Sequence, residues 1–335
     1  FVVLIAIIVM IVISIIFVIV DGYTSTKLAI CLILILYRVI DNFSETFQAE
    51  FQINKRLDIA GKSMVLRNIL AIITFAIFDI ITHNIIVACT FMTIANLVVF
   101  IAYDVKQIKQ FNKEKIIIKF KEAKEIIKDC MPMAIAGVLN VYVINAVKYA
   151  IDSKGDNAMQ TYFNIIYMPT FVINLVSIFI VKPFLKTFGD YWNKDEHKKL
   201  FITVLKIILV LFGVTLIIEI GCYILGVPVL SMFYGVDISQ YKVELMVLII
   251  SGLLYAICNL LFNMLGTIRK QTYISIVYII TSIIAVIVSP ILVNKYEMMG
   301  AVFANLLIMF ILCTLLAISL IIGIKKQKSK GEKNE

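Results

Sequence analysis

The chain has 335 residues, of which 61% are hydrophobic and 16% charged, and it carries a net charge of +9. With a mean hydropathy of +1.00, this excludes an ordinary soluble domain and a disordered chain, and requires lipid as the solvent for most of the sequence. The six cysteines lie in or beside apolar segments without C-x-x-C spacing, which argues against a disulfide framework and a zinc site and leaves them as small packing residues.

Taken in order, about ten stretches reach the ~20 apolar residues that cross a bilayer as a helix. They are residues 1–20, 27–48, 64–82, 84–103, 131–151, 160–182, 200–225, 242–266, 272–293 and 299–324. The expected fold class is therefore all-α, a polytopic integral membrane protein. Phe1 already stands inside an apolar run, without an initiator Met, a basic leader or a cleavage site, so the expectation is a fragment with something missing before it. The turn Thr82-His83-Asn84 separates the third and fourth spans.

Loop charge tests that count, because cytoplasmic loops are enriched in Lys and Arg. Lys55, Arg56 and Lys62 share one connection, Lys106 to Lys128 fill another, and then come Lys186, Lys194, Lys198 and Lys199, Arg269 and Lys270, and the tail from Lys325 to Lys333. The intervening connections, 21–27, 82–84, 152–157, 227–241 and 294–299, are short and poor in cations. The alternation predicts both ends of the chain on the cytoplasmic side and turns the positive charge into a topology signal instead of a nucleic-acid footprint. The longest loop divides the chain into a partial N-terminal lobe of four spans (1–103), a basic linker (104–130) and a C-terminal lobe of six spans (131–335). Within the linker, Ile117, Phe120, Ala123 and Ile127 alternate with lysines from Lys115 to Lys128. That pattern suits a helix on the inner leaflet with lysines at anionic lipid headgroups, each worth about 1 kcal/mol, or a solvated charged linker.

The second span breaks the apolar pattern. Arg38, Asp41, Glu45, Gln48 and Gln52 follow one another at steps of three or four residues, within an arc of about 80° on one helix face. Arg38 falls ~16 Å into a ~30 Å hydrocarbon core. Turned to lipid, each charge would cost roughly 2.5–3.5 kcal/mol, so this face meets either a water-filled cavity or other helices, with Arg38 and Asp41 pairing locally in the second case. The span 131–151 bears a second stripe, Gly137, Asn145, Lys148 and Asp152, in which Lys148 either enters a cavity or snorkels to headgroups. Arg67 opens the third span and could meet a phosphate or a lipid headgroup. Asn259 and Asn263, at i and i+4, are expected to bond between helices. No G-x-x-x-x-G-K-[ST] and no H-E-x-x-H occurs, and no paired carboxylates stand apart from the Arg38 stripe, so the sequence offers no catalytic constellation.

Tyr37-Arg38-Val39-Ile40-Asp41, then Phe51-Gln52-Ile53-Asn54-Lys55-Arg56-Leu57-Asp58-Ile59-Ala60 and Lys62-Ser63 with Arg67, resemble an inner loop of the Wzx-type polysaccharide flippases of the MATE-like (MOP) exporter superfamily. Lys182-Pro183-Phe184 through Gly189-Asp190-Tyr191-Trp192 is similar to that family's loop in the second half. The specific residues cover about one sixth of the chain. The resemblance implies a MATE-like two-lobe bundle lacking the first two helices of its N-terminal lobe, in the bacterial cytoplasmic (inner) membrane. It implies a non-enzymatic flippase that moves a polyprenyl-diphosphate-linked oligosaccharide to the outer leaflet by alternating access. It assigns Arg38, Arg67 and Lys148 to the diphosphate, Gln48, Gln52 and Asn145 to sugar, and Asp41 or Glu45 to holding Arg38 or a coupling ion, H+ or Na+, with no resident cofactor. A polysaccharide polymerase and export proteins are the implied partners beside the lipid-linked sugar. A cation-coupled drug antiporter of the same fold, a membrane glycosyltransferase or polymerase, and a non-transporting scaffold remain open as alternatives.

Overall fold

The computed structural model describes residues 25–54, 56–111 and 120–331. The first expected span, 1–20, and residues 112–119 of the expected surface helix lie outside the described residues. The chain divides between Ile127 and Lys128 into two compact units.

In the first unit, α1 (Ser25–Ile53) is followed by α2 (Leu57–Thr82) and α3 (Ile85–Val99). His83 ends α2 in the left-handed conformation, with φ 47° and its N–H donating to the Asp79 carbonyl. Asn84 then caps α3, its side-chain oxygen accepting from the Ile86 N–H at 3.0 Å. Two polar residues thus reverse a chain that is otherwise apolar on both sides. From α3 the chain runs through a five-residue π-turn, Phe100–Asp104, into α4 (Val105–Phe111). The Phe100 ring packs against Phe47 at 5.4 Å and Phe43 at 6.1 Å, which fixes the π-turn onto α1. Phe78 and Phe91 stack between α2 and α3.

The helix α5 (Phe120–Ser153), most of which lies in the second unit, runs without a break through Cys130, so the basic segment continues into the span instead of turning beside it. Charge alone suggested a boundary there, but Lys, Glu, Ala and Ile are all compatible with continued helix, and the single Pro132 does not end it. After Asp156 caps α6 (Asn157–Ile166), Pro169 starts a separate α7 (Met168–Val181). A 3₁₀ turn, Lys182–Phe184, leads to the short α8 (Leu185–Asn193) and then to α9 (His197–Gly221). α9 continues through a π-turn, Cys222–Gly226, directly into α10 (Val227–Tyr234), so residues 227–234, expected to begin a connection, prolong the helix; Pro228 is accommodated in this turn and Gly235, at φ 66°, closes it. The unit ends with α11 (Lys242–Thr267) and α12 (Gln271–Gly331), the latter broken at Glu297, where φ is 51° and ψ −127°.

α11 is the axis of this unit, with Leu245, Leu248, Ile249, Ala256, Leu260, Met264 and Leu265 fully buried. Gly252 lets α7 approach closely, since a Cβ there would lie 3.0 Å from the Thr170 methyl. The Thr170 hydroxyl bonds the Leu248 carbonyl at 3.0 Å. Outward residues such as Ile80, Val138, Phe179 and Ile217 are apolar and exposed, the surface that lipid rather than water solvates.

Among the described residues, seven helical runs are long and apolar enough to cross a membrane, of which one, Gln271–Ile324, contains two of the expected spans. α1 is not among the seven; its 29 residues are long enough, but its charges set it apart. The expected spans after the first fall on helical segments, except that 160–182 is interrupted at Tyr167, between α6 and α7.

Candidate functional site

The polar stripe of α1 is the feature that least resembles its surroundings. Arg38 stands near the middle of the helix, ~20 Å from either end at 1.5 Å per residue. Helical spacing brings its guanidinium to Asp41 at 2.5 Å and to Glu45 at 3.8 Å. The second oxygen of Asp41 accepts from Arg67 of α2 at 2.9 Å. One carboxylate therefore joins two arginines from two helices. Their exposures differ: the Arg38 side chain is 58% accessible and Arg67, as a residue, only 4%. The accessible cation is Arg38. Arg67 is enclosed within the unit, and its Nε is buried without a partner.

Farther along the same face, the Ser44 hydroxyl donates to Asp104 of the π-turn, both residues being fully buried. One turn beyond, Gln48 has its amide nitrogen buried and unpartnered. The side chain of Gln52 lies outside the described residues. At the foot of α2, Arg56 grips Asp58 through two bonds of 2.9 and 3.0 Å. The sequence stripe thus resolves into an accessible Arg38–Glu45 edge and a covered row of Asp41, Ser44 and Gln48. Ser44 and Asp104, the covered partners, carried no signal in the polar stripe, although Asp104 ends a long apolar run and could have been flagged by that position.

Asn145 and Lys148 belong to α5 of the second unit. The Asn145 amide donates to the Val141 carbonyl of its own helix at 2.9 Å. The Lys148 ammonium sits over the Tyr167 ring, 4.9 Å from its centroid. Other polar side chains are buried in this unit: Asn305 accepts from Ser251, and the amide oxygen of Asn140 is buried without a partner among the described residues. Asn259 donates to Asn174 at 2.5 Å, the interhelical bond expected of it, whereas Asn263 bonds back to the Asn259 carbonyl within α11. Isolated asparagines within apolar runs are the signal that marks these groups in the sequence.

Other features carry less chemistry. Asp237 accepts from the Ser239 hydroxyl at 2.6 Å and its N–H at 2.9 Å; these bonds hold its carboxyl below the usual carboxylate range, and it serves as a turn cap. A groove of about 510 Å³ in the second unit is lined by Ile250, Leu254, Leu292, Phe303 and Phe310 among others, all apolar. All six cysteines are free thiols. Among the described residues no group of three His, Cys, Asp or Glu is placed to hold a metal ion.

No protein-family model matches the sequence, and no curated protein matches it. Solved structures do. The chain is similar to the Vibrio cholerae MATE transporter VcmN, crystallised as a point mutant, with a TM-score of 0.78 at 15% identity, over 97% of this chain and 78% of that one. A MATE structure in a bent conformation gives 0.75 at 14% identity, over 98% and 78%. A MOP superfamily transporter from Pyrococcus furiosus, whose binding pocket is described as reversed in polarity, gives 0.72 at 17% identity, over 96% and 75%. At these identities the likeness establishes a MATE-like fold.

Proposed function

We propose that this chain transports an anionic, lipid-linked sugar across a bacterial cytoplasmic membrane by alternating access, with Phe1 and Glu335 on the cytoplasmic side. The observation that carries the reading is the accessible Arg38, halfway along α1 and flanked by a carboxylate that Arg67 already holds. A mid-membrane guanidinium is retained where it meets water or an anion, and its planar fork suits a diphosphate. The MATE-like fold supports a transport role, since solved neighbours of this fold are described as transporters. Within the first unit, Arg38, Glu45 and Gln52 of the stripe would meet the substrate; within the second, Asn145 and Lys148 would do so. Asp41 and Arg67 would set the orientation of Arg38.

One observation favours a second reading. The Glu45 carboxylate is as accessible as Arg38 and only 3.8 Å from it, so a cationic drug could be the cargo of an antiporter. The deciding experiment uses proteoliposomes loaded with a polyprenyl-diphosphate oligosaccharide. The proposal expects flipping that falls at least about tenfold in Arg38→Ala, equivalent to about 1.4 kcal/mol. Efflux of cationic dyes with no movement of the lipid-linked sugar would overturn it.

A further inference from the structure

Two tyrosines of α5 are left unused by the reading above. Val143, Ala146, Val147 and Ala150 turn this helix toward the core of the second unit and are buried. Tyr142, Asn145 and Tyr149, at steps of three and four residues, share a different strip of it, within an arc of about 60°. The Tyr142 and Tyr149 rings lie 5.9 Å apart at an interplanar angle of 27° and form one aromatic patch. Tyr149 is 51% accessible. Asn145 spends one N–H on the Val141 carbonyl, and among the described residues its side-chain oxygen accepts no bond. Tyr142 stands ~17 Å along the helix from residue 131, near the middle of a ~30 Å hydrocarbon core.

Lipid does not call for this composition. A phenol hydroxyl or an amide in hydrocarbon costs free energy that a phenyl ring does not. The exposed aromatics of α7 show the contrast, for they are Phe171 and Phe179. On α5 a hydroxyl-bearing ring stands at both positions, with an amide between them. Nor does the strip suit a phosphate. Lys148 on its flank is engaged with the Tyr167 ring, and Tyr142, Asn145 and Tyr149 are neutral. A pyranose ring matches all three residues. Its C–H face packs on an aromatic face, and the hydroxyls around its edge bond to an amide and to phenol groups.

We propose that Tyr149, braced by Tyr142, is a stacking platform for a sugar ring of the cargo, with Asn145 bonding the hydroxyls of that ring. The inference rests on the transport reading above and adds residues that sense the sugar instead of the diphosphate.

The test is equilibrium binding to the full chain in detergent. Two radiolabelled ligands are compared: the polyprenyl-diphosphate oligosaccharide of the flipping assay, and the same polyprenyl diphosphate without sugar. The wild type is expected to bind the sugar-bearing lipid at least about tenfold more tightly. Tyr149→Ala should lose most of that margin while binding the bare diphosphate within about twofold of wild type. Tyr149→Leu, which fills more of the volume without a ring, should behave alike, and a matched binding of the bare diphosphate shows that either variant is folded. Tyr149→Phe keeps the ring and should keep the margin. Tyr142→Ala should lose about threefold. A full margin in both Tyr149→Ala and Tyr149→Leu overturns the platform, as does an equal loss for the two lipids, or a margin lost as fully in Tyr149→Phe. A wild type that binds both lipids equally overturns the platform alone. One that binds neither overturns the transport reading, and the platform with it.

Discussion

Asp41 gives one oxygen to Arg38 and the other to Arg67, so the two arginines do different work. An anion that reaches Arg38 can take its fork from Asp41 without leaving that acid unpaired, because Arg67 stays. Removing Arg67 should therefore act on both stability and affinity. Breaking a buried ion pair from one side costs up to 3–5 kcal/mol; with Asp41 still 18% accessible, Arg67→Ala is expected to lose about 2–3 kcal/mol by denaturant unfolding. Arg67→Lys should restore most of the fold while giving Asp41 a single-point partner. Full stability in Arg67→Ala would remove the bridging role. The same geometry orders the thiol reactivity of the stripe. Cys substitutions at Arg38 and Glu45 should react quickly with a water-soluble maleimide, and those at Ser44 and Gln48 slowly. Equal rates at all four positions would contradict a covered row beside an accessible edge.

At the scale of elements, close approach is what fixes the second unit, and two glycines separate necessity from tolerance. A Cβ at Gly300 would lie 2.0 Å from the Leu292 carbonyl oxygen, backbone that cannot step aside. Gly300→Ala is thus expected to disrupt the two halves of α12 and lower the yield of folded protein sharply. At Gly137 of α5 an added Cβ meets nothing within 4 Å, so Gly137→Ala should leave the midpoint unchanged or raise it, by up to ~1 kcal/mol of helix propensity. Size-exclusion profiles and thermal unfolding of both variants check the contrast. The elements themselves were largely legible. Apolar runs of the right length mark helices whatever their tertiary partners, and Thr82-His83-Asn84 is a turn because His83 and Asn84 supply the two caps locally. What could not be read was where a helix declines to stop: α5 passes through Cys130, and α9 runs on through the π-turn Cys222–Gly226 into α10, with Pro228 tolerated just after it. Local sequence leaves both outcomes open.

For the whole molecule, the periodicity of the stripe was visible while its division into accessible and covered residues was not. Arg38 and Arg67 are the same residue type in similar apolar runs, and only the packing of α2 against α1 hides one and leaves the other in reach. Span count and loop charge gave the helices and the dividing linker, and the resemblance of residues 37–67 and 182–192 implied the MATE-like architecture, but the cargo does not follow from the fold, because one fold serves different ligands. The discriminating variable is which accessible charge the cargo needs. For an anionic lipid-linked sugar, Glu45 is a competitor of the substrate for Arg38. Glu45→Gln should then preserve or increase sugar flipping, while Arg38→Gln abolishes it. For a cationic cargo the signs reverse: Glu45→Gln stops dye efflux, and Arg38→Gln relieves repulsion and raises it. Both variants exchange a charge for a neutral side chain that keeps hydrogen bonding, so they test charge with little change of volume. Running the two variants against both cargoes in one vesicle preparation gives a crossed pattern for either reading. A drop of similar size for both variants with the sugar would show that the pair acts as a structural unit, and would remove Arg38 as the residue that meets the diphosphate.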